Sequence, residues 1–128
     1  MNMGRNSISK QFRKAFNRLD DGIVKTHSKL DRDGVLLRFR VTFELLWKTL
    51  KVNLEHKGVI ATTPKDCLKA AFKLGWIVDD VVFLDMLEAR NKMSHEYDEA
   101  EAQKVFKQIK KRFLKPIKTL LDHLENLQ

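Results

Sequence analysis

The sequence is poor in the residues that form turns and cross-links. Its 128 residues include five glycines, two prolines and a single cysteine, Cys67. One cysteine excludes a disulfide within the chain and suits a reducing compartment, so we expect a cytoplasmic protein. The scarcity of glycine and proline argues against a strand-rich fold, which needs many turns. Because Leu68 and Ala71 lie beside Cys67, we predict a buried thiol and not a nucleophile.

Several functional signatures are also missing. No apolar run approaches the roughly 18 residues of a membrane span, and residues 1–13 lack the apolar segment of a signal peptide. No glycine-rich phosphate loop is present, so the chain is not expected to be a nucleotidyltransferase itself. The histidines show no metal-ligand spacing, and we predict neither a metal ion nor a cofactor. The four histidines are His27, His56, His95 and His123.

The charge that is present is mostly positive. The formal net charge is +8 and the isoelectric point is about 9.7. This balance favours RNA, DNA or an acidic protein as a partner, although charge that only serves solubility would give the same count. A basic surface on the last predicted helix is either a solvated face or a guide for such a partner. Its residues are Lys107, Lys110, Lys111, Arg112, Lys115 and Lys118.

Apolar residues recur at steps of three and four along most of the chain, which predicts amphipathic helices. We predict a frayed terminus over residues 1–6 and a kink at Pro116 in the last helix. Four long helices with short connections predict an all-α, up-and-down four-helix bundle with one extra short helix. We expect a single domain over residues 1–128 that forms a homodimer. The predicted helices are Ser7 to Leu30, ended by Asp31–Gly34, then Leu36 to Gly58, Thr63 to Gly75, Asp79 to Ser94 and Asp98 to Leu127.

The candidate functional residues crowd into one short stretch. Arg90, Asn91, His95 and Tyr97 form an Arg-x4-His-x-Tyr motif at the end of the fourth predicted helix. Arg90 and His95 lie five residues apart, about 140° round a regular helix. Both can reach one ligand only if the helix bends or a second copy of the chain contributes. An ordinary helix end, with His95 as a C-terminal cation and Arg90 in a surface ion pair, also explains these residues.

The motif and the helices around it resemble a known family. The second helix contains Phe-Glu-Leu-Leu-Trp-Lys at residues 43–48, and the fourth contains Leu-Asp-Met-Leu at residues 84–87 before the motif. With the trailing Tyr-Asp-Glu, these segments resemble the nucleotidyltransferase substrate-binding proteins, the HepT-like branch of the HEPN superfamily, over roughly residues 8–124. Two positions depart from the family pattern: Arg40 stands where relatives often have an acid, and so does Ala89.

The resemblance implies a dimeric helical bundle that works with a separate small nucleotidyltransferase. In the toxin–antitoxin version of this pair, the helical protein is an endoribonuclease toxin, and the nucleotidyltransferase is the antitoxin that neutralises it by AMP transfer (AMPylation). The resemblance implies that Arg90 and His95 are the catalytic pair, that Asn91 supports them and that Tyr97 accepts AMP. The alternative is a non-catalytic substrate-binding subunit of a two-component nucleotidyltransferase.

Elementary chemistry is compatible with this implied activity. Metal-independent RNA cleavage needs a proton acceptor, a proton donor and a cation near the phosphate. Histidine suits proton transfer near neutral pH, and the arginine fork suits the phosphate. With one motif histidine per chain, we hypothesise a composite site at a two-fold interface. Without the resemblance, we would expect Tyr97 to be a tyrosine at the rim of the site that packs on the last helix. Glu44 is expected to form an ion pair with Arg38, Lys48 or Arg90.

Overall fold

The computed structural model describes residues 3–93 and 98–127, and all regular secondary structure in these residues is helical. The predicted all-α fold is therefore confirmed. Residues 3–6, which were predicted to fray, belong to the first helix. No helix among the described residues is long and apolar enough to cross a membrane. The elements are α1 (Met3–Val24), α2 (Lys29–His56), α3 (Pro64–Lys73), α4 (Asp80–Lys92), α5 (Glu99–Gln108), a π-helical turn (Ile109–Phe113) and α6 (Leu114–Asn126).

Helix α2 lies at the centre of the packing. It contacts α1, α3, α4, α5 and α6. Its apolar face carries Phe39, which is fully buried and stacks on Phe113 of the π-helical turn with ring centroids 5.6 Å apart. The buried apolar residues form one continuous cluster, to which every helix contributes. Because α2 touches both α4 and α5, it can hold residues against the motif that these two helices flank.

The first connection differs from the predicted one. Residues 31–34 were predicted to end the first helix, but they lie inside α2, so that prediction was wrong. Asp31 N donates to Ser28 Oγ at 3.1 Å, and His27 N donates to an Asp31 carboxylate oxygen at 3.0 Å. This arrangement, similar to a capping box, satisfies free backbone donors on either side of the N-cap Ser28 and starts a helix at Lys29. Leu30, counted in the apolar face of the first predicted helix, is 80% exposed.

The predicted end of the second helix, both ends of the third and the start of the last are confirmed. The side chains of Thr63 and Asp98 cap α3 and α5 by accepting backbone N–H bonds. Gly58 and Gly75 follow α2 and α3 with φ angles of 78°, a left-handed conformation that costs glycine little. The cap at Asp98 matters for the site, because it defines where the chain enters α5 after the motif.

Pro116 lies in the first turn of α6, just after the π-helical turn, and the kink predicted at this residue stays a prediction. Proline lacks a backbone donor, and its ring crowds the carbonyl four residues earlier. The buried residues Val105, Ile109, Phe113 and Ile117 follow steps of four, and each such step overshoots a regular helical turn by about 40°. The wider π turn reduces this drift, so all four side chains stay on the core side.

Candidate active site at the end of α4

The motif begins in the last turn of α4. Met93 N donates to the carbonyl oxygens of Ala89 and Arg90, at 3.3 and 3.2 Å, and closes this turn. Residues 94–97, including His95 and Tyr97, lie outside the described residues. The described chain resumes at Asp98, so α4 and α5 stand on either side of these residues in the sequence. The roles of His95 and Tyr97, and the distance from Arg90 to His95, therefore stay predictions.

The guanidinium of Arg90 is held by a carboxylate from α2. Arg90 Nε donates to Glu44 Oε1 at 2.6 Å, and Arg90 Nη1 donates to Asn91 Oδ1 at 2.8 Å. The Arg90 and Glu44 side chains are 26% and 31% exposed. Arg90 Nη2 donates to no described residue. Of the three partners predicted for Glu44, the structure shows the motif arginine. Nε and Nη1 of Arg90 are thus held by described residues, whereas its Nη2 is not.

Glu44 is itself held by a second donor. Trp47 Nε1, three residues further along α2, donates to Glu44 Oε2 at 3.0 Å. Burial alone would raise the pKa of the Glu44 carboxyl, but hydrogen bonds from Arg90 and Trp47 outweigh burial and lower this pKa below its ordinary value. Glu44 is therefore ionised at neutral pH with both oxygens engaged. It is suited to positioning Arg90 and unsuited to accepting a proton.

A cleft of about 360 Å³ is lined on one side by α2 and on the other by residues that include Met93 and Asp98. Buried Arg32 crosses from α2 to α5, where its Nη1 donates to Glu99 Oε1 at 2.6 Å, so its charge is compensated. Arg40 is exposed and forms no ion pair with any described residue. Arg40, at one of the departures from the family pattern, thus adds a cation to this cleft. The other lining residues are Asp33, Leu36, Leu37, Met93, Asp98 and Ala102.

Comparison with known proteins identifies the family. The profile of the family described as "nucleotidyltransferase substrate binding protein like" matches residues 8–126. The chain belongs to this family. A crystal structure of a protein from Thermus thermophilus is similar at 27% sequence identity with a TM-score of 0.82, covering 88% of this chain and 98% of that one. Among proteins with curated descriptions, none matches significantly. The family predicted from the motif and its flanking helices is confirmed.

The predicted basic surface of this nucleotidyltransferase substrate-binding-like protein is divided. Arg112 donates to Asp85 at 2.9 Å, which ties the π-helical turn to α4. Lys118 pairs with Asp122 one turn later in α6. In contrast, four lysines are exposed and form no ion pair with any described residue. They are Lys107, Lys110, Lys111 and Lys115.

The other candidates considered from the sequence were a metal site and Cys67. No group of three or more His, Cys, Asp or Glu residues in the part of the chain that the structure describes could hold a metal ion. Cys67 is buried, as predicted, and desolvation raises the pKa of its thiol. Its Sγ lies 3.6 Å from the carbonyl oxygen of Ala61. Cys67 is therefore a packing residue of α3.

Sequence reasoning missed one member of the site, Trp47. It was named from the sequence only as part of residues 43–48, but its indole N–H holds Glu44. The signal was available, because residues three apart on a helix share a face and Glu44 precedes Trp47 by three. A carboxylate amid apolar neighbours needs several donors, and an indole one turn away is a natural source.

Proposed function

We propose that this chain is the helical member of a two-protein system with a nucleotidyltransferase, and that it is a metal-independent endoribonuclease toxin. The observation that best supports the proposal is the fixed orientation of Arg90. Glu44 occupies its Nε, and Nη2 has no partner among the described residues. A guanidinium held in this way on a rigid helix can bind a phosphate without first losing conformational freedom.

In the proposed reaction, the ribose 2′-oxygen attacks the adjacent phosphorus and the bond to the 5′-oxygen breaks. The 2′-hydroxyl proton passes to a base, and an acid gives a proton to the departing 5′-oxygen. His95 serves as one of these two groups. Arg90 stabilises the charge that develops on the phosphate oxygens. The products are a 2′,3′-cyclic phosphate and a 5′-hydroxyl end.

Substitution of His95 tests the catalytic role. His95→Ala should lower RNA cleavage by about 100-fold or more, because general acid–base catalysis contributes at least this factor. The matched control is His56→Ala, which removes an exposed histidine from the end of α2 and should leave cleavage unchanged. Cleavage by His95→Ala at the wild-type rate would refute the assignment.

The one motif histidine of each chain supplies one proton-transfer group, and the reaction needs two. The proposal therefore includes a homodimer of up-and-down bundles with a shared site. Mixing wild-type protein with His95→Ala, followed by subunit exchange, tests this. If each active site needs His95 from both copies, an equal mixture retains about one quarter of the activity, because only dimers with two wild-type chains cleave. Activity proportional to the wild-type fraction would instead mean that one copy suffices.

We further propose that the partner nucleotidyltransferase transfers AMP to Tyr97. A bulky, negatively charged adenylate beside His95 would exclude RNA by volume and by repulsion. Intact-mass measurement after co-expression with the partner should find an AMP-sized addition on the wild type and none on Tyr97→Phe. An equal addition on both proteins would remove Tyr97 from the proposal.

The alternative function is a non-catalytic binding subunit that docks on the nucleotidyltransferase. It is favoured by the pairing of Arg90 with Glu44, which a purely structural arginine would also show. The family description, which names substrate binding, is compatible with it too. Expression of the chain alone separates the two. Growth arrest that His95→Ala relieves supports the ribonuclease, and normal growth with a stable nucleotidyltransferase complex supports the binding subunit.

A further inference from the structure

A second and larger groove lies beside the motif cleft, between the start of α2 and one face of α5. Its volume is about 860 Å³. The connection from α1 to α2 forms one wall, and α5 with the π-helical turn forms the other. Phe106, Lys107, Lys110 and Lys111 face it together because residues three and four apart share one side of a helix. No function has been assigned to this groove so far.

The groove carries a strong excess of positive charge. Its lining contains five cationic side chains and one carboxylate, that of Glu99. Glu99 is already engaged by Arg32, with Lys29 more loosely placed at 3.8 Å. The three lysines of α5 and the π-helical turn therefore have no carboxylate partner among the described residues. Clustered, unpaired cations in a groove concentrate the local field and attract anions. The five cations are Lys29, Arg32, Lys107, Lys110 and Lys111.

The groove and the motif cleft share a boundary. Arg32 and Glu99 line both of them. Their ion pair therefore separates the cleft, which Met93 and Asp98 also line, from the basic groove. A flexible polyanion that crosses this pair can occupy both sides at once. Phe106 adds a half-buried aromatic ring to the groove, and such rings stack on bases of any identity.

We propose that this groove binds single-stranded RNA next to the point of cleavage. Lys107, Lys110 and Lys111 hold its phosphates, and Phe106 stacks on a base. The choice of RNA as the ligand rests on the proposed ribonuclease function. The lysines could bind either phosphates or the carboxylates of an acidic protein. The aromatic ring beside them favours single-stranded nucleic acid, because it offers a surface on which a base can stack.

The test compares two triple substitutions that change the net charge equally. Replacing the three groove lysines with glutamine lowers the formal net charge from +8 to +5 (8 − 3). Replacing Lys65, Lys69 and Lys73 with glutamine does the same on the exposed face of α3, which lines no part of the groove. The probe is a short fluorescent single-stranded RNA with 2′-O-methyl riboses. This probe lacks the attacking hydroxyl, so binding is measured without cleavage.

We expect the groove triple variant to bind the probe at least tenfold more weakly than the wild type in fluorescence anisotropy, and the α3 variant to change affinity by less than about twofold. The plot of log affinity against log salt should become shallower by about 2 in the groove variant, because each phosphate contact on a single strand contributes about 0.7. Phe106→Leu, which keeps the apolar packing, should weaken binding about fivefold and leave the salt slope unchanged.

Equal losses in both triple variants would overturn the proposal, because they would reflect net charge alone. Wild-type RNA affinity in the groove variant would overturn it too. If that variant instead lost affinity for the nucleotidyltransferase, the groove would be a protein interface. Failure of the proposed ribonuclease function can be distinguished from failure of the groove proposal. A wild type that binds the probe through the groove but never cleaves unmodified RNA would refute catalysis and still support the binding site.

Discussion

Replacing Glu44 with glutamine tests whether this carboxylate positions Arg90. In the structure, Glu44 Oε1 accepts from Arg90 Nε and Oε2 accepts from Trp47 Nε1. Glutamine keeps the size of the side chain but offers one acceptor oxygen and an NH₂ donor. Either Arg90 or Trp47 must then face a donor, and Arg90 loses its ion pair in both arrangements. The substitution therefore disturbs the position of the guanidinium without opening a cavity.

The expected loss of stability follows from the exposure of the pair. A hydrogen bond to a charged group contributes about 1.5–3 kcal/mol, and a fully exposed ion pair contributes about 0–1 kcal/mol. With side chains that are 26% and 31% exposed, the Arg90–Glu44 pair lies between these limits. We expect Glu44→Gln to lower the free energy of unfolding by about 1–2 kcal/mol. For a domain of this size, Tm should fall by about 4–8 °C.

The pH dependence of this loss has a defined sign. The pKa of Glu44 in the folded protein lies below its ordinary value of 4.5. The ionised carboxylate therefore contributes stability above about pH 4.5, and the contribution disappears as the pH falls through the folded-state pKa. Denaturant unfolding of the wild type and Glu44→Gln should give the full difference at pH 7 and a shrinking difference below about pH 4.5.

The same variant should cleave RNA more slowly. A misplaced Arg90 that costs about 1.4 kcal/mol in the transition state lowers kcat/KM about tenfold. The matched control is Glu55→Gln on the same helix, where the glutamate is exposed and its side chain pairs with no described residue. Trp47→Phe leaves the contact between Arg90 and Glu44 and should affect cleavage less than Glu44→Gln. Wild-type stability and pH dependence in Glu44→Gln would refute the positioning role.

Three further predictions concern the scaffold. Gly34→Ala should raise the free energy of unfolding by about 0.5–1 kcal/mol, because position 34 is helical and an added Cβ meets nothing within 4 Å. Gly75→Ala also has open space, but at a φ of 78° it should lower this free energy by about 1 kcal/mol, and denaturant unfolding that gives both variants the same sign would contradict the assignment. Cys67 should react with a disulfide reagent far more slowly in the native protein than in urea, because its thiol is buried and has a raised pKa, and equally fast labelling would contradict this.

The helices could be predicted from the sequence wherever their signals are local. Thr63 with Pro64 specifies a helix start through its side chains, Gly58 permits a left-handed helix end because it lacks a Cβ, and the structure has a helix boundary at each. The first connection was predicted wrongly because two local signals compete there. The composition of residues 31–34 indicates a break, but Ser28 caps the backbone N–H of Asp31, the Asp31 carboxylate accepts from His27 N, and the same residues become a first turn. Capping geometry outweighed composition.

The contact between Glu44 and Arg90 could be named from the sequence as one of several options but not selected. Glu44 and Arg90 lie 46 positions apart, and their pairing depends on how α2 packs against α4. From the sequence, three cations were equally available to Glu44. Tertiary packing decided among them, because Arg38 turns instead to the carbonyl oxygen of Arg18 on α1. Helical periodicity predicts which face a residue occupies and does not predict which helix covers that face.

If the chain is the proposed ribonuclease, the distribution of charge implies that RNA binding and cleavage respond differently to salt. Arg90 is about a quarter exposed and lies 2.6 Å from Glu44. At physiological ionic strength the Debye length is about 8 Å, so salt screens this contact little. The groove lysines are exposed and unpaired among the described residues, so salt weakens their hold on phosphates. If the groove binds RNA and Arg90 acts on the reacting phosphate, higher ionic strength must raise KM and leave kcat nearly constant. A fall in kcat at saturating RNA would mean that the exposed lysines act in the chemical step itself.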